Sequence, residues 1–394
     1  MLRQLILEPG DHEAIATLRQ LKRKLNRAKS QLDCLSASQL SRWQRQRDPY
    51  RDLCTVLRQQ YGVEHVSNAW LKYWEIFKTL PLLPAGEAKV FFNAELPGSA
   101  LCALLHLVQT DKLDTAVDWR ASSLVPRPLV PRDHSNAKDQ FLEQRGPFGD
   151  TYGLWARNPE RWLMSEANDG DCTRADTLLD FERRLGPASE FGGVHFYSDD
   201  AAMSVGHAFA EQESGNAQLH LGCALAGFLT LRPGGCFVAK QFTLFEPLTW
   251  SLLRIYARLF ARFSLFKPLA SRARNSEVYL IGEGFRGLDA ETRALLFARL
   301  EAFHMTPLDD LPPPQGLLEF VEAACAQQIA SLDGAVGKSQ MAAMQTQLWL
   351  EAFPVQRADQ VPCAKSEARD LQSARHRRQT AAHNGRSLIS SEIK

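Results

Sequence analysis

Short apolar stretches alternate with apolar helical stretches from about residue 61 to residue 288. The stretches typical of buried strands lie within AKVFFNAEL (88–96), GGVHFYSDD (192–200), RPGGCFVAK (232–240) and SEVYLIGEGF (276–285). Between them lie SALCALLHLVQ (99–109), QLHLGCALAGFLTL (218–231) and LTWSLLRIYARLF (248–260), whose length and composition favour helices. This alternation predicts an α/β fold with a mostly parallel, doubly wound sheet and helices on both faces.

Charged side chains stand where several of these strands end. Ligands of doubly wound sheets bind beyond the carboxyl ends of the strands. Glu95, Asp200 and Lys240 lie at or near such ends, which makes them candidate functional residues. Glu277 instead precedes its strand, so the fold has to bring it to the same edge.

The alternating region is flanked by segments of different character. Residues 1–60 are predicted to form a basic helical extension, because leucines and isoleucines recur at helical spacing over 12–33 with Lys and Arg between them. Residues 289–354 have a helical pattern, and residues 355–394 are polar and Arg-rich, which predicts a disordered basic tail. The sequence thus predicts four parts, with the α/β domain at 61–288.

The charge is unevenly distributed although the net charge is only +1. Residues 1–60 hold twelve Lys and Arg against six Asp and Glu, and residues 355–394 hold eight against four. Basic ends on an acidic body suggest a polyanionic partner such as RNA. The alternative is that the helix at 12–33 packs on its own domain and that the tail is simply solvated, which the sequence favours.

The cysteines and the apolar runs indicate the cellular compartment in which the protein is expected. The eight cysteines form no CxxC pair, which argues against a structural zinc site and predicts no metal. Scattered single cysteines are typical of a reducing compartment. We expect no signal peptide, because the apolar stretch at the start of the chain is too short. We expect no membrane span, because no run of 18 apolar residues occurs. The sequence therefore predicts a soluble, intracellular protein.

A tight turn, ELPGSA (95–100), joins one predicted strand to the next helix. A glycine turn followed by a helix N-terminus allows a nucleotide-like ligand to approach the backbone closely. Taken alone this turn is weak support, because it lacks the fuller GxGxxG pattern.

Several motifs in the same order resemble the FtsJ-like ribose 2′-O-methyltransferases. They are SNAWLKYWEI (67–76), ELPGSA, VHFYSDDAAMSVGH (194–207), RPGGCFVAK and SRARNSEVYLI (271–281). The stretches LFKPLASRARNSE and GGCFVAKQFTLFEP are similar to the mRNA cap 2′-O-methyltransferases. Others, such as DTYGLWARNPERWLM and RLEAFHMTPLDDL, are closer to the FtsJ-like protein of large DNA viruses of the African swine fever virus type. The resemblance covers roughly residues 55–320.

The resemblance implies a class I, Rossmann-like fold that uses S-adenosylmethionine. It places the family's catalytic Lys-Asp-Lys-Glu set on Lys72, Asp200, Lys240 and Glu277, with Asp199 as the alternative acid. It implies cofactor contacts from Glu95, Pro97, Gly98, Ser99, Gly170 and Asp171, and substrate contacts from Asn275, Arg272 and Arg274. Two departures stand out: Ser99 replaces a glycine of the cofactor loop, and Ala201-Ala202 replaces the Gly-Gly after the catalytic acid.

The resemblance leads us to expect an RNA ribose 2′-O-methyltransferase acting on the cap-proximal nucleotide of mRNA. The alternatives are a ribosomal RNA 2′-O-methyltransferase and a retired methyltransferase fold that serves as an RNA-binding or scaffold subunit. The expected partners are capped mRNA and other capping-enzyme or viral subunits, with no membrane. The expected location is the cytoplasm of an infected cell, the virion or the nucleus.

Overall fold

The computed structural model describes residues 1–32, 34–36, 38–39, 42–43, 48–111, 113–125, 149–164, 168–203, 205, 209–271, 275–332 and 339–357. The helices in these ranges are α1 (Glu13–Ser30), α2 (Leu53–Tyr61), α3 (Asn68–Thr79), α4 (Ser99–Thr110), α5 (Leu154–Arg157), α6 (Ala175–Leu185), α7 (Gln212–Thr230), α8 (Pro247–Arg258), α9 (Ala290–Glu301), α10 (Leu317–Leu332) and α11 (Ser339–Ala352). The strands are β1 (Leu2–Gln4), β2 (Ile6–Pro9), β3 (Gly86–Asn93), β4 (Thr115–Ala121), β5 (Val194–Asp199), β6 (Leu231–Phe242), β7 (Phe260–Phe266), β8 (Glu277–Phe285) and β9 (Pro314–Gln315).

Seven of these strands form one sheet in the order β1-β7-β8-β6-β5-β3-β4. β3 pairs in parallel with β4 and β5, and β5 pairs in parallel with β6. β8 runs antiparallel to both β6 and β7, so β7 points in the same direction as β6. β1 closes the other edge antiparallel to β7. The predicted α/β fold with a mostly parallel sheet is therefore confirmed.

The two faces of the sheet bury separate apolar cores. On one face, Phe228 of α7 packs against Phe237 of β6 in a tilted arrangement, with ring centroids 5.3 Å apart. The next residue, Val238, points to the other face because side chains alternate along a strand. There it belongs to the core formed by α3 and α4, with Trp70 and Trp74. Helices cover both faces, as the sequence predicts.

The segments outside the α/β region also contribute to these cores. The helix predicted over 12–33 is α1, which buries Leu18 and Leu25 in the first core. Trp349 of α11 is only 1% exposed and belongs to the second core. The sequence analysis did not anticipate β1 and β2 in the first nine residues. The four-part division stays a prediction, and the tail from residue 358 onward lies outside the described residues.

The described ranges show no feature typical of a membrane span or of a metal site. Within them, no helix combines the length and apolar character needed to cross a membrane. The same ranges contain no group of three or more His, Cys, Asp and Glu side chains suited to holding a metal ion. Seven of the eight cysteines fall in the described ranges, and all seven are free thiols.

Candidate active site

Helix α3 carries Lys72 to the edge of the sheet. The N-cap residue Ser67 accepts a hydrogen bond from the backbone N–H of Trp70 at 3.2 Å, which satisfies one free donor of the first turn. Trp70 and Trp74 are buried and stack with ring centroids 5.0 Å apart. These rings anchor the helix in the core. With α3 fixed in this way, Lys72 Nζ lies 2.5 Å from Glu277 Oε1.

The direction of β8 brings Glu277 to this edge. Glu277 is the first residue of β8 and pairs with Phe242, the last residue of β6. Because the two strands are antiparallel, the amino end of β8 lies beside the carboxyl end of β6. Glu277, at the start of its strand, therefore lies at the same edge of the sheet as Asp200 and Lys240, which stand at or near the ends of theirs.

Lys240 and Asp200 form the second charged pair. Lys240 lies near the end of β6, and Asp200 follows β5 directly. Lys240 Nζ is 3.3 Å from Asp200 Oδ1 and donates to the Asp200 carbonyl oxygen at 2.5 Å. All four residues that the resemblance assigned as catalytic are thus brought together at the carboxyl edge of the sheet.

Tyr279 links the two pairs, and the sequence analysis did not identify it. Its hydroxyl lies 2.9 Å from Asp200 Oδ1 and 3.2 Å from Glu277 Oε1, so its single proton faces two carboxylates. Its ring lies under the ammonium of Lys72 at 5.7 Å. Burial, followed by the charges of Asp200 and Glu277, raises the pKa of Tyr279, which keeps the hydroxyl a donor. Its position two residues after Glu277 on one strand was the available signal, because such residues share a face.

The charges of the four residues offset one another in a buried setting. Burial alone would raise the pKa of the Glu277 carboxyl, but the positive charges of Lys72 and Lys240 hold it well below its ordinary value. Glu277 therefore stays ionised across the neutral range. Two cations facing two carboxylates keep the net charge of the cluster near zero.

The structure separates Asp199 from its neighbour Asp200. Asp199 is fully buried, and in the described part of the chain no hydrogen bond reaches either of its carboxyl oxygens. Burial raises the pKa of Asp199 to about 8, although the charge of Lys240 opposes this. Asp200, by contrast, contacts both Lys240 and Tyr279. The geometry therefore favours Asp200 as the acid of the set.

The segment before β8 is held by backbone contacts. Lys267 Nζ donates to the carbonyl oxygens of Asn275 at 2.5 Å and Glu277 at 2.6 Å. Burial lowers the pKa of Lys267 to about 7, against the opposing charge of Glu277. The side-chain oxygen of Asn275 accepts from the Glu277 N–H at 3.3 Å, so this residue shapes the start of β8. Arg272 and Arg274 lie outside the described residues.

The predicted cofactor loop follows β3 and leads into α4. Gly98 caps α4 with φ +112°, and a Cβ there would lie 2.2 Å from Leu154 Cδ1. Glycine is needed here because the 149–164 segment packs closely on the loop. Glu95 Oε1 accepts the N–H of Leu101 at 2.9 Å, so its carboxyl already serves the first turn of α4. The peptide bond between Leu96 and Pro97, within the same loop, is cis.

The second predicted cofactor segment lies beside the end of β4. Gly170 has φ +78°, and a Cβ there would lie 2.1 Å from the carbonyl oxygen of Ser123. Asp171 Oδ1 accepts from the backbone and hydroxyl of Thr173 at 2.9 and 2.7 Å, which fixes the turn. Both predicted cofactor segments therefore lie at the carboxyl edge of the sheet.

The charges at this edge fit a cationic nucleoside cofactor. Burial, together with the nearby charge of Asp200, raises the pKa of Glu95 to about 8. Crowded carboxyl groups of this kind are stabilised in the ionised form by a neighbouring positive charge. S-adenosylmethionine carries both a sulfonium and an ammonium group. The residues present therefore suit the cofactor that the resemblance implied.

Ser99, which stands where the family pattern has glycine, ties the cofactor loop to α3. Its hydroxyl accepts from Ser67 Oγ at 2.8 Å and lies 3.2 Å from the hydroxyl of Tyr152. Ser67 is the N-cap of the helix that carries Lys72, so the substitution joins the two halves of the site.

We expect Ser99→Ala to lower the free energy of unfolding by about 1 kcal/mol, since it removes a buried hydroxyl network. Denaturant unfolding measures this change. Ser30→Ala is the matched control, because the exposed Ser30 hydroxyl bonds only within its own helix. Equal stabilities of the two variants would contradict a linking role for Ser99.

Comparisons with known proteins agree with this geometry. The FtsJ-like methyltransferase family matches residues 65–285. "Probable methyltransferase EP424R" of African swine fever virus (strain Badajoz 1971 Vero-adapted) is 34% identical over 283 residues, covering 70% of this chain and 62% of that protein. The zebrafish (Danio rerio) "Cap-specific mRNA (nucleoside-2'-O-)-methyltransferase 2" is 30% identical over 279 residues, covering 68% of this chain and 35% of that protein.

Human methyltransferase-like protein 13 in complex with SAH is 13% identical, with a TM-score of 0.30, and the match covers 61% of this chain and 91% of that chain. The chain thus spans about three fifths of the African swine fever virus relative and about a third of the zebrafish one.

The mostly parallel sheet with helices on both faces is the architecture of the class I methyltransferases, whose cofactor is S-adenosylmethionine. The family match extends over more than half of the chain and includes every described member of the cluster. The chain belongs to the FtsJ-like methyltransferase family.

Proposed function

We propose that the protein methylates the ribose 2′-oxygen of a cap-proximal nucleotide of mRNA, with Lys72, Asp200, Lys240 and Glu277 as its catalytic residues. The observation that carries this proposal is the pair of buried contacts, Lys72–Glu277 and Lys240–Asp200, joined by Tyr279. A ribose hydroxyl is a weak nucleophile, and its activation requires a positioned base and an oriented oxygen.

Lys240 is the proposed general base. A general base has to be held in a fixed position beside the reacting hydroxyl, and the contacts of Lys240 with Asp200 fix its ammonium nitrogen at the carboxyl edge of the sheet. Lys240 is 7% exposed, and Lys72 is the second cation of the cluster. Lys72 is held by Glu277 and orients the hydroxyl, while Asp200 and Tyr279 hold Lys240 in place.

Atoms and charge balance in the proposed methyl transfer. When bound, the cofactor would supply an electrophilic methyl carbon on a sulfonium, with a neutral thioether as the leaving group. The 2′-oxygen forms the new bond to that carbon, and its proton passes to Lys240 Nζ. The positive charge lost from sulfur therefore reappears on a lysine that faces Asp200.

The capped substrate is supported by the names of relatives. The zebrafish protein and its mouse (Mus musculus) counterpart, 26% identical over 287 residues, are both called cap-specific mRNA (nucleoside-2'-O-)-methyltransferase 2. Capped mRNA is therefore our proposed substrate, and ribosomal RNA is the alternative. A retired enzyme would have no need to keep two lysines buried and paired, because a buried charge is costly.

Transfer of radiolabelled methyl from S-adenosylmethionine to short RNAs tests the proposal. Capped RNA should be labelled, and the same RNA already methylated at its first and second 2′-oxygens should not. RNAs blocked at only one of these positions then identify the target nucleotide. Labelling of ribosomal RNA but not of capped RNA would support the alternative substrate. Binding of RNA without any labelling would support the scaffold alternative.

A further inference from the structure

Helix α1 has one buried face and one cationic face. Leu18, Leu25 and Ala28 are buried against the first core. The side chains of Arg19, Arg23, Lys24 and Arg27 are exposed, and we call these four residues the α1 basic face. Among the residues that the structure describes, no carboxylate forms an ion pair with any of the four. The helix thus packs on its own domain through one face and leaves a basic face for a polyanionic partner, so the two alternatives drawn from its sequence pattern are compatible.

The contacts of α1 place it beside the candidate active site. Lys22 pairs with Glu246 at 2.5 Å, in the segment that follows β6 and its Lys240. Lys29, which is buried, donates to the carbonyl oxygen of Phe209 at 3.2 Å, in the segment that follows Asp200. The helix therefore rests on two segments that leave the catalytic cluster.

A third contact connects α1 to the segment before β8. Leu25 lines a small cavity of about 20 Å³ together with Lys267 and Asn275. Lys267 in turn holds the backbone of Glu277. The docked face of α1 thus meets three chain segments that carry or support Asp200, Lys240 and Glu277, and the α1 basic face is exposed on the same helix.

The spacing of the basic face suits a polyanionic strand. Arg19, Arg23 and Arg27 follow one another at intervals of four residues, so they form one row with steps of about 6 Å along the helix. Arginine presents several donors that match phosphate oxygens. Contacts of this kind position a strand without reading its sequence.

We propose that the α1 basic face binds the phosphates of the single RNA strand that continues beyond the nucleotide in the catalytic cluster. This inference rests on the proposed function. It assigns to the N-terminal extension, which lies outside the matched family region of residues 65–285, the part of the affinity that grows with RNA length. Each phosphate contact releases counterions, so the affinity it provides falls as salt rises.

The test compares two triple variants of equal charge change. The first is Arg23→Gln, Lys24→Gln and Arg27→Gln on the basic face. The control is Arg183→Gln, Arg232→Gln and Arg258→Gln, three exposed arginines near the opposite, amino-end edge of the sheet. The RNA is a single-stranded capped oligonucleotide, and its binding is measured by fluorescence anisotropy over a range of salt concentrations.

We expect the basic-face variant to reduce the slope of log affinity against log salt by about 2, which corresponds to three lost contacts with a single strand. The control should keep the wild-type slope. In methyl transfer, the basic-face variant should raise the KM for long capped RNA more than for a capped dinucleotide. An unchanged slope would overturn the proposal and would leave this face to a protein subunit.

The two proposals fail in different ways. Equilibrium binding needs no methyl transfer, so the salt slope tests the basic face even if no RNA is labelled. Labelling of capped RNA with an unchanged slope would keep the proposed function and reject the role of α1. A loss of secondary structure in the basic-face variant is checked by circular dichroism, and the single variant Arg27→Gln, expected to reduce the slope by about 0.7, then replaces the triple.

Discussion

Replacing Lys240 by alanine is expected to lower methyl transfer by roughly 10²- to 10⁴-fold, the usual contribution of a positioned general base. The change removes the proposed proton acceptor and leaves Asp200 without its ion pair. Single-turnover transfer from radiolabelled S-adenosylmethionine to capped RNA measures the effect. Binding of the cofactor, measured separately by calorimetry, should change far less than the rate.

Two further lysine variants sharpen this result. Lys240→Arg keeps a positive charge beside Asp200 but cannot give a neutral base, so it should be nearly as slow as alanine. Lys89→Ala is the matched control, since Lys89 also lies on a parallel strand and donates to a backbone carbonyl, that of Phe191. Transfer by Lys240→Arg at more than about a tenth of the wild-type rate would contradict the assignment of Lys240 as base.

Replacing Glu75 by alanine is expected to lower the free energy of unfolding by about 3–5 kcal/mol. The Glu75 carboxyl is fully buried on α3 and accepts from Leu269 N–H, Ala270 N–H and Trp349 Nε1–H at 2.6, 2.8 and 2.7 Å. Each donor left without a partner costs about 1–3 kcal/mol. Urea unfolding followed by tryptophan fluorescence measures the loss.

The control for Glu75 is Glu351→Ala. Glu351 is an exposed glutamate on α11 whose carboxylate, among the described residues, bonds to Gln347 alone, so its loss should cost less than about 0.5 kcal/mol. If Glu75→Ala fails to fold, Glu75→Gln provides the measurement, since it keeps one acceptor oxygen. A stability of Glu75→Ala within 1 kcal/mol of the control would contradict a linking role for this carboxyl.

The pH dependence provides a separate check on Glu75. Burial raises its pKa to about 7, above the ordinary value of 4.5, so the folded state holds the proton more tightly than the unfolded state. By linkage, the contribution of Glu75 to stability is greatest below pH 4.5 and declines as the pH rises from 4.5 to 7. The difference in unfolding free energy between wild type and Glu75→Ala should therefore shrink over this window.

The sequence predicts the architecture and much of the site because both depend on local patterns. Apolar strands followed by turns place Asp200 and Lys240 at strand ends, and parallel strands bring such ends together. The direction of β8 is not readable in this way. Glu277 reaches the cluster only because β8 is antiparallel to β6, and without the family resemblance its position before a strand would have pointed elsewhere.

Other parts of the site depend on contacts between distant segments. Ser67 and Ser99 lie 32 residues apart, and Lys267 acts on the backbone near Glu277 through a turn that no short motif specifies. Tyr279 could have been found from its strand position, but its link to Asp200 spans 79 residues. Hydrogen bonds of this kind follow from the packed fold and leave no periodic signal in the sequence.

The contact between Glu75 and Trp349 has a consequence for biosynthesis. The two residues are 274 positions apart, so the carboxyl of Glu75 has no indole partner until residue 349 has emerged from the ribosome. The segment around Leu269 and Ala270 is also synthesised well after α3, which leaves α3 with an unsatisfied acid until that segment is available. Cotranslational folding can assemble β3 to β6 early, but the wall of the site behind Lys72 closes only when nearly the whole described chain is available.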